Sequence, residues 1–182
     1  SFGSFKADLE LAKGLTAGWF GSWRKLDGNS GYYLSPLSTV TYAIDNNGVA
    51  NINNWHQDEK LMDASLNFKR VFGEHSIDAI AVYEWQKQTY NGNFTQMKGF
   101  INDITTFNAL QLGDLTKITS GDISSYKNDR TVISLLGRVN YTLMDRYMLT
   151  ASIRRDGSSV FGDSHKWGNF PSASLAWRIT EE

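Results

Sequence analysis

Residue types that commonly do chemistry are present in this chain, but their spacing assembles no familiar centre. The three histidines, His56, His75 and His165, have neither HxH nor HExxH spacing. They fall in segments that read as two loops and a turn, so each is expected to be a solvated loop histidine and not a metal ligand. Cysteine is absent, which removes disulfides, thiolate ligands and thiol nucleophiles together. Gly157-Ser-Ser-Val-Phe-Gly-Asp-Ser164 has the outline of a phosphate-binding loop, but Asp163 stands where the essential lysine belongs. A carboxylate there repels phosphate, so a nucleotide site is rejected. Asp78 and Glu84 could be paired on paper as acid and base, yet carboxylates on a strand face are usually solvated or ion-paired. Asn93-Phe-Thr95 and Asn140-Tyr-Thr142 match a glycosylation sequon at a frequency chance provides. No catalytic residue, metal ligand or cofactor is expected, and substrate-binding residues are not assigned.

Two groups of side chains keep some interest. Arg154, Arg155 and Asp156 cluster where a predicted strand ends, and Arg154 shares a face with Asp156, which suits a structural cross-strand pair or a charge network. Trp19, Trp23 and Trp55, with Tyr90 and Phe94, offer rings of the kind that stack on a ligand or pack against a partner.

These residues are carried by strands. Ile133, Leu135, Val139, Tyr141 and Leu143 alternate with Ser134, Arg138, Asn140 and Thr142. After Met144-Asp-Arg146 the same period returns with Tyr147, Leu149, Ala151 and Ile153, which predicts a tight hairpin. Upstream, Phe5 to Leu11, Leu15 to Arg24, Leu61 to Lys69 and Ile77 to Gln86 read as strands, and Asn169 to Ile179 as the last. Pro171 cannot donate to a ladder and suits a strand start better than a strand middle. Short turns near 12–15, 73–75 and 144–146 alternate with polar stretches near 26–59, 91–129 and 157–168, which read as long loops. Ring residues stand near strand ends on the oily face. Phe72, Tyr141, Tyr147 and Trp177 lie near the short turns, and Trp23, Tyr83 and Trp85 near the long loops.

Composition bounds the classes. The net charge of −1 over 182 residues gives no bulk attraction to nucleic acid. No apolar run approaches the roughly 18 residues of a membrane helix, but a membrane strand needs only about 10 residues of alternating pattern. The mean hydropathy of −0.38 is compatible with such strands. Alternate short turns and long loops are the habit of a transmembrane barrel, and the oily face is then read as facing lipid.

The stretch Gly137-Arg-Val-Asn-Tyr141, then Asp145-Arg-Tyr147, then Arg154-Arg-Asp-Gly-Ser-Ser159, then Trp167-Gly-Asn-Phe-Pro-Ser172 resembles, in order and spacing, the barrel signature of SusC/RagA-type TonB-dependent outer-membrane transporters of Bacteroidetes. The resemblance is dense over residues 137–182 and looser upstream. It implies an all-β fold, an antiparallel transmembrane β-barrel wall of about seven strands that is an open sheet if isolated. It also implies residence in the bacterial outer membrane and import of large nutrients, glycan oligosaccharides or peptides. The implied partners are a SusD-like lipoprotein and the TonB complex, the latter through regions absent here, together with outer-membrane lipid.

The chain starts at Ser1 without a leader and stops in mid-pattern at Thr180-Glu-Glu182, so residues 1–182 are expected to be part of a barrel domain without its plug. Phe5 to Leu11 and Asn169 to Ile179 are the expected edges, and Leu135, Leu149, Ile153, Leu175 and Trp177 should be exposed as an apolar band. Two other readings stay open. One is a passive outer-membrane pore, and the other a soluble carbohydrate-binding β-domain in which Trp19, Trp23 and Trp55 stack on sugars.

Overall fold

The computed structural model describes residues 1–162 and 166–179. Its strands are β1 (Phe2–Ala12), β2 (Leu15–Leu34), β3 (Val49–Phe72), β4 (His75–Lys98), β5 (Ile123–Leu143), β6 (Tyr147–Ser158) and β7 (Trp167–Trp177). They form one seven-stranded sheet in chain order, each strand beside its sequence neighbours, with β1 and β7 as the open edges. The pairs whose register is resolved are antiparallel.

Tight turns join β1 to β2, β3 to β4 and β5 to β6. Gly14 adopts φ +81, a left-handed value, and its α-hydrogen side is pressed against the Lys69 carbonyl, so only glycine fits. Met144 and Asp145 both have positive φ, and the Arg146 N–H closes on the Leu143 carbonyl at 3.0 Å. Paired positive values match the right-handed twist of the flanking strands, the reason hairpins favour this turn.

The strands overrun the predicted loops. β2 continues to Leu34, β3 begins at Val49, β4 runs to Lys98 and β5 begins at Ile123, so the irregular connections shrink to 35–48 and 99–122. The sequence obscured this because Gly28-Asn-Ser-Gly31 and Asn51-Ile-Asn-Asn54 are polar or glycine at nearly every position. Backbone hydrogen bonds hold such ladders without an oily face to mark the period. Pro171 is also a correction, since it lies within β7 opposite Ile153 and not at its start. In that ladder Ser158 N–H bonds the Lys166 carbonyl and Arg178 N–H bonds the Arg146 carbonyl. Alternation from those bonds leaves the Pro171 nitrogen facing away from β6, where no N–H is needed. Between β1 and β2 the register slips from Glu10–Thr16 to Ala12–Leu15, leaving Leu11 as an extra residue beside the turn.

The chain divides into two compact units. The first takes Ser1–Arg24, Glu59–Gln88 and Asp129–Glu182, and the second Lys25–Asp58 and Thr89–Asn128. In the first, residues directly opposite each other share a face. Leu149 stands between Tyr141 and Leu175, and Ala151 between Val139 and Ala173, whereas Thr150 stands between Asn140 and Ser174 and Ser152 between Arg138 and Ser172. Burial runs opposite to that of a water-soluble sheet. Leu149, Ala151 and Ile153 are exposed while Thr150 and Ser152 are half-buried, and Leu175 is 83% exposed. The expected apolar band of Leu135, Leu149, Ile153, Leu175 and Trp177 is present.

The second unit holds the small buried core. Ala50, Met97 and Phe100 pack with Tyr33, Phe107 and Leu110, and Tyr33 meets Phe100 edge-on at 5.7 Å. A short helix, α1 (Thr41–Asp45), and three single 3₁₀ turns within residues 106–117 fill its two connections.

Candidate functional site

In the first unit the two faces are most distinct around the middle of β6, between Leu149 and Ile153. On the polar face Thr150 Oγ1 donates to Asn140 Oδ1 at 2.9 Å, and the Ser152 and Ser172 hydroxyls meet at 2.7 Å. Arg154 Nε reaches both Asp156 oxygens at 2.9 Å, and Nη2 reaches Ser134 Oγ at 3.4 Å. This ion pair runs along β6, two residues apart, and is tied across to β5 through Ser134. Arg155 points to the other face, its guanidinium 4.9 Å from the centre of the Trp167 ring. A cation over a ring is what a long basic side chain at the end of a lipid-facing strand can use.

Rings gather near the tight turns as the sequence suggested. Tyr147 and Trp177 stack at 6.3 Å. Phe72, His75 and Tyr141 form a row, with centroids 5.3 Å and 5.9 Å apart. His75 is therefore no solvated turn residue but opens β4, and its Nδ1 lies 2.6 Å from the Tyr141 hydroxyl. Towards the other strand ends Trp23 and Trp85 share an apolar groove with Phe5 and Met62, and Tyr83 and Trp19 share another with Leu135 and Ile153. Such ring belts flank the lipid-facing band of a membrane barrel.

Asp78 pairs with Lys69 at 3.0 Å in an exposed ion pair. Asn140 is spent on Thr150, Asn93 lies on β4, and Gly157 and Ser158 end β6. Asp163 and His165 lie outside the described residues. Among the described residues no group of three His, Cys, Asp or Glu side chains could hold a metal.

The second unit has a site that sequence reasoning largely missed. Its frame is a buried polar knot. Lys98 Nζ donates to Asp122 Oδ2 at 2.7 Å and to Thr119 Oγ1 at 2.8 Å, and both side chains of the ion pair are 6% exposed. Asp122 also accepts from Thr119 N and Oγ1 and from Gln96 Nε2. Burial alone would raise the Asp122 carboxyl, but the bonds from Lys98, Thr119 and Gln96 outweigh it and hold the group far below the usual carboxylate range. Lys98 shifts upward because it donates to Asp122, against the opposing pull of burial. A second tie joins Asp103 to the hydroxyls of Tyr33 at 2.5 Å and Ser35 at 2.6 Å. Burial and the Asp103 carboxylate push the Tyr33 hydroxyl up to about 12.

Across β2 to β5 of this unit lies a groove of about 720 Å³, lined by three consecutive residues from each strand and centred on Gly28, Trp55, Gly92 and Tyr126. Trp55, Tyr90 and Tyr126 form a row with centroids 6.2 Å and 5.3 Å apart. Glycines seat the rings. A Cβ on Gly28 would run into the Trp55 indole, and one on Gly92 would stand 2.6 Å from the Tyr126 hydroxyl. His56 is on β3, not in a loop, and its Nδ1 is hydrogen-bonded to Asp27. Trp55 thus belongs with Tyr90, whereas Trp19 and Trp23 face Ala7 and Gly3 of β1. The one early signal was the Gly and Asn content of both arms around α1, which becomes informative only when Gly28 is known to face Trp55.

A sheet with open edges, in which β6 exposes its apolar side chains between belts of rings and keeps Thr150 and Ser152 half-buried, is a wall of a transmembrane β-barrel. The chain matches the family described as TonB dependent receptor-like, beta-barrel over residues 2–182, and it belongs to that family. It is 35% identical over 156 residues to TonB-dependent receptor P39 of Formosa agariphila, an alignment covering 82% of this chain and 14% of that relative. It is 46% identical over 59 residues to TonB-dependent receptor SusC of Bacteroides thetaiotaomicron, covering 32% of this chain and 6% of that one. Among solved structures it is similar to the RagAB peptide importer in the open-open state, with TM-score 0.82 and 19% identity over all of this chain and 20% of that one. At that identity the likeness shows the fold. The protein resides in the bacterial outer membrane, and the chain spans only about a seventh of P39, by the 14% coverage.

Proposed function

We propose that this chain is part of the barrel of a TonB-dependent transporter that takes a large nutrient, a glycan oligosaccharide or a peptide, across the outer membrane. Residues 1–182 supply part of the barrel domain, and the plug that receives energy through TonB lies in the remainder of a longer protein. A SusD-like lipoprotein is the partner at the cell surface. The observation that carries the reading is the inverted burial of β6, with Leu149, Ala151 and Ile153 exposed against half-buried Thr150 and Ser152, in a chain of this family. The resemblance of the segment 137–172 to SusC/RagA sequences supports the choice of active import over a passive pore. Similarity to a protein described as a peptide importer keeps peptides beside glycans as cargo.

The test uses the full-length protein and its partner in cells. Uptake of labelled oligosaccharides and of labelled peptides is measured with and without a protonophore. Active import predicts saturable uptake that collapses when the proton gradient is dissipated. Uptake that survives the protonophore and rises linearly with concentration would make the protein a passive pore.

A further inference from the structure

The groove of the second unit has a chemical character that transport alone does not explain. Each of its four strands contributes a central residue, Gly28, Trp55, Gly92 or Tyr126, and two flanking ones. Strand alternation puts the flanking side chains on the face away from the Trp55 and Tyr126 rings. Antiparallel order arranges them as two rows. One row is Asp27, His56, Asn91 and Lys127, in which Asp27 and His56 are hydrogen-bonded. The other is Asn29, Asn54, Asn93 and Ser125. All eight are polar. Counted along each strand, they occupy the same alternate positions as the oily residues, Trp19 and Trp23 on β2, Met62 and Leu66 on β3, Tyr83 and Trp85 on β4, Leu135 and Val139 on β5.

The chemistry selects among ligands by elimination. A phosphate or other anion would meet the Asp27 carboxylate in the same row as Lys127. A metal is disfavoured, since among the described residues no cluster could hold one. An extended peptide needs a free strand edge or apolar side-chain pockets, but β2 to β5 are interior strands and neither row carries an apolar side chain. What remains is a neutral ligand dense in hydroxyls. A primary amide offers two donors and a carbonyl acceptor, and neighbouring hydroxyls each donate and accept. Among the described residues no side-chain hydrogen bond occupies the amides of Asn29, Asn54, Asn91 or Asn93. The volume of about 720 Å³ lies within the usual range of small-molecule clefts.

We propose that these two rows form a binding site for a neutral saccharide, held by the four asparagine amides with Ser125. The sugar has two sources, a free oligosaccharide or the uncharged outer-core hexoses of outer-leaflet lipopolysaccharide. The inference rests on the outer-membrane barrel and not on active import, so the uptake test above can fail while this one holds.

The experiment titrates the purified full-length protein calorimetrically with maltoheptaose, xylohexaose, an uncharged outer-core hexose oligosaccharide of lipopolysaccharide and a tryptic peptide mixture. Two double variants are compared with the wild type, Asn54→Leu with Asn93→Leu, and the size-matched Asn54→Asp with Asn93→Asp. Heat-modifiable gel mobility verifies that each barrel is folded. At least one saccharide should bind, with affinity reduced 10-fold or more in both variants. Binding of the free oligosaccharides identifies the first source and binding of the core sugar the second. No saccharide binding, binding unchanged in the size-matched variant, or amide-dependent binding of the peptides alone would overturn the assignment.

Discussion

An arginine placed along β6 should reveal both faces of the wall and its depth in the membrane. The Tyr147–Trp177 stack and the Arg155–Trp167 contact mark the two ends of the lipid stretch. The eight steps from Tyr147 to Arg155 rise about 3.4 Å each and tilt by roughly 45°, so they span about 19 Å of membrane, somewhat less than the apolar band of about 25 Å. The midplane therefore falls near Ala151, which stands between Val139 and Ala173 with no polar neighbour opposite it. Ala151→Arg should cost about 2 to 4 kcal/mol, and Leu149→Arg and Ile153→Arg, nearer the interfaces, about 1 to 3 kcal/mol. Thr150→Arg and Ser152→Arg, beside Asn140 and Arg138, should cost less than about 1 kcal/mol because the guanidinium stays on the sheltered polar face. The assay is denaturant unfolding of the full-length protein refolded into lipid vesicles, followed by tryptophan fluorescence. Costs at 150 and 152 equal to those at 149, 151 and 153 would refute the face assignment. A smaller cost at 151 than at 149 and 153 would refute the depth.

Other consequences concern the second unit. Lys98→Met leaves Asp122 buried without its cation and should destabilise the 96–122 segment by about 3 to 5 kcal/mol, read as faster hydrogen exchange there with the lipid-facing strands unchanged. Because the folded Asp122 pKa is depressed, its stabilisation is whole above the ordinary carboxyl value of about 4 and is lost as pH falls through the folded value. Protection of this segment relative to the intrinsic exchange rate should therefore be the same at pH 7 and pH 5 and fall only in stronger acid. Gly28→Val should displace the Trp55 ring and cost about 1 to 3 kcal/mol by overpacking, with a red-shifted Trp55 emission; an unshifted spectrum would show the ring is not seated there. Tyr33→Phe removes one of two hydroxyls on Asp103 and should cost about 1 kcal/mol, measurable as local exchange in residues 99–105.

Legibility in the sequence followed the solvent. Where one face meets lipid, as at Leu149, Ala151 and Ile153, the period of two is written in the residue types, and turns, order and faces could be read. The SusC/RagA-like motifs fall in this part. Where neither face carries an oily period, as at Gly28-Asn29 or Asn53-Asn54, polar residues fill both sides and the same strand looks like a loop. The site suffered most from this. Trp55 could be noticed as a ring, but its seat on Gly28 depends on a register set by the hairpin around Thr41–Asp45. The Lys98–Asp122 pair depends on how residues 99–121 fold back, which periodicity does not encode. His75 and His56 were misplaced for related reasons, one by a turn one residue shorter than the expected 73–75 and the other by a strand hidden in asparagines.

The central claim is that the odd positions of β6 face lipid, and the chain's lack of cysteine makes it directly measurable. Single cysteines at 148 to 154 of the full-length protein, each spin-labelled in lipid vesicles, report collision with oxygen dissolved in the bilayer or with a water-soluble nickel chelate. High oxygen accessibility at 149, 151 and 153, alternating with low values at 148, 150, 152 and 154, is the predicted result. Oxygen accessibility without that period, or with its maxima at the even positions, would contradict the account.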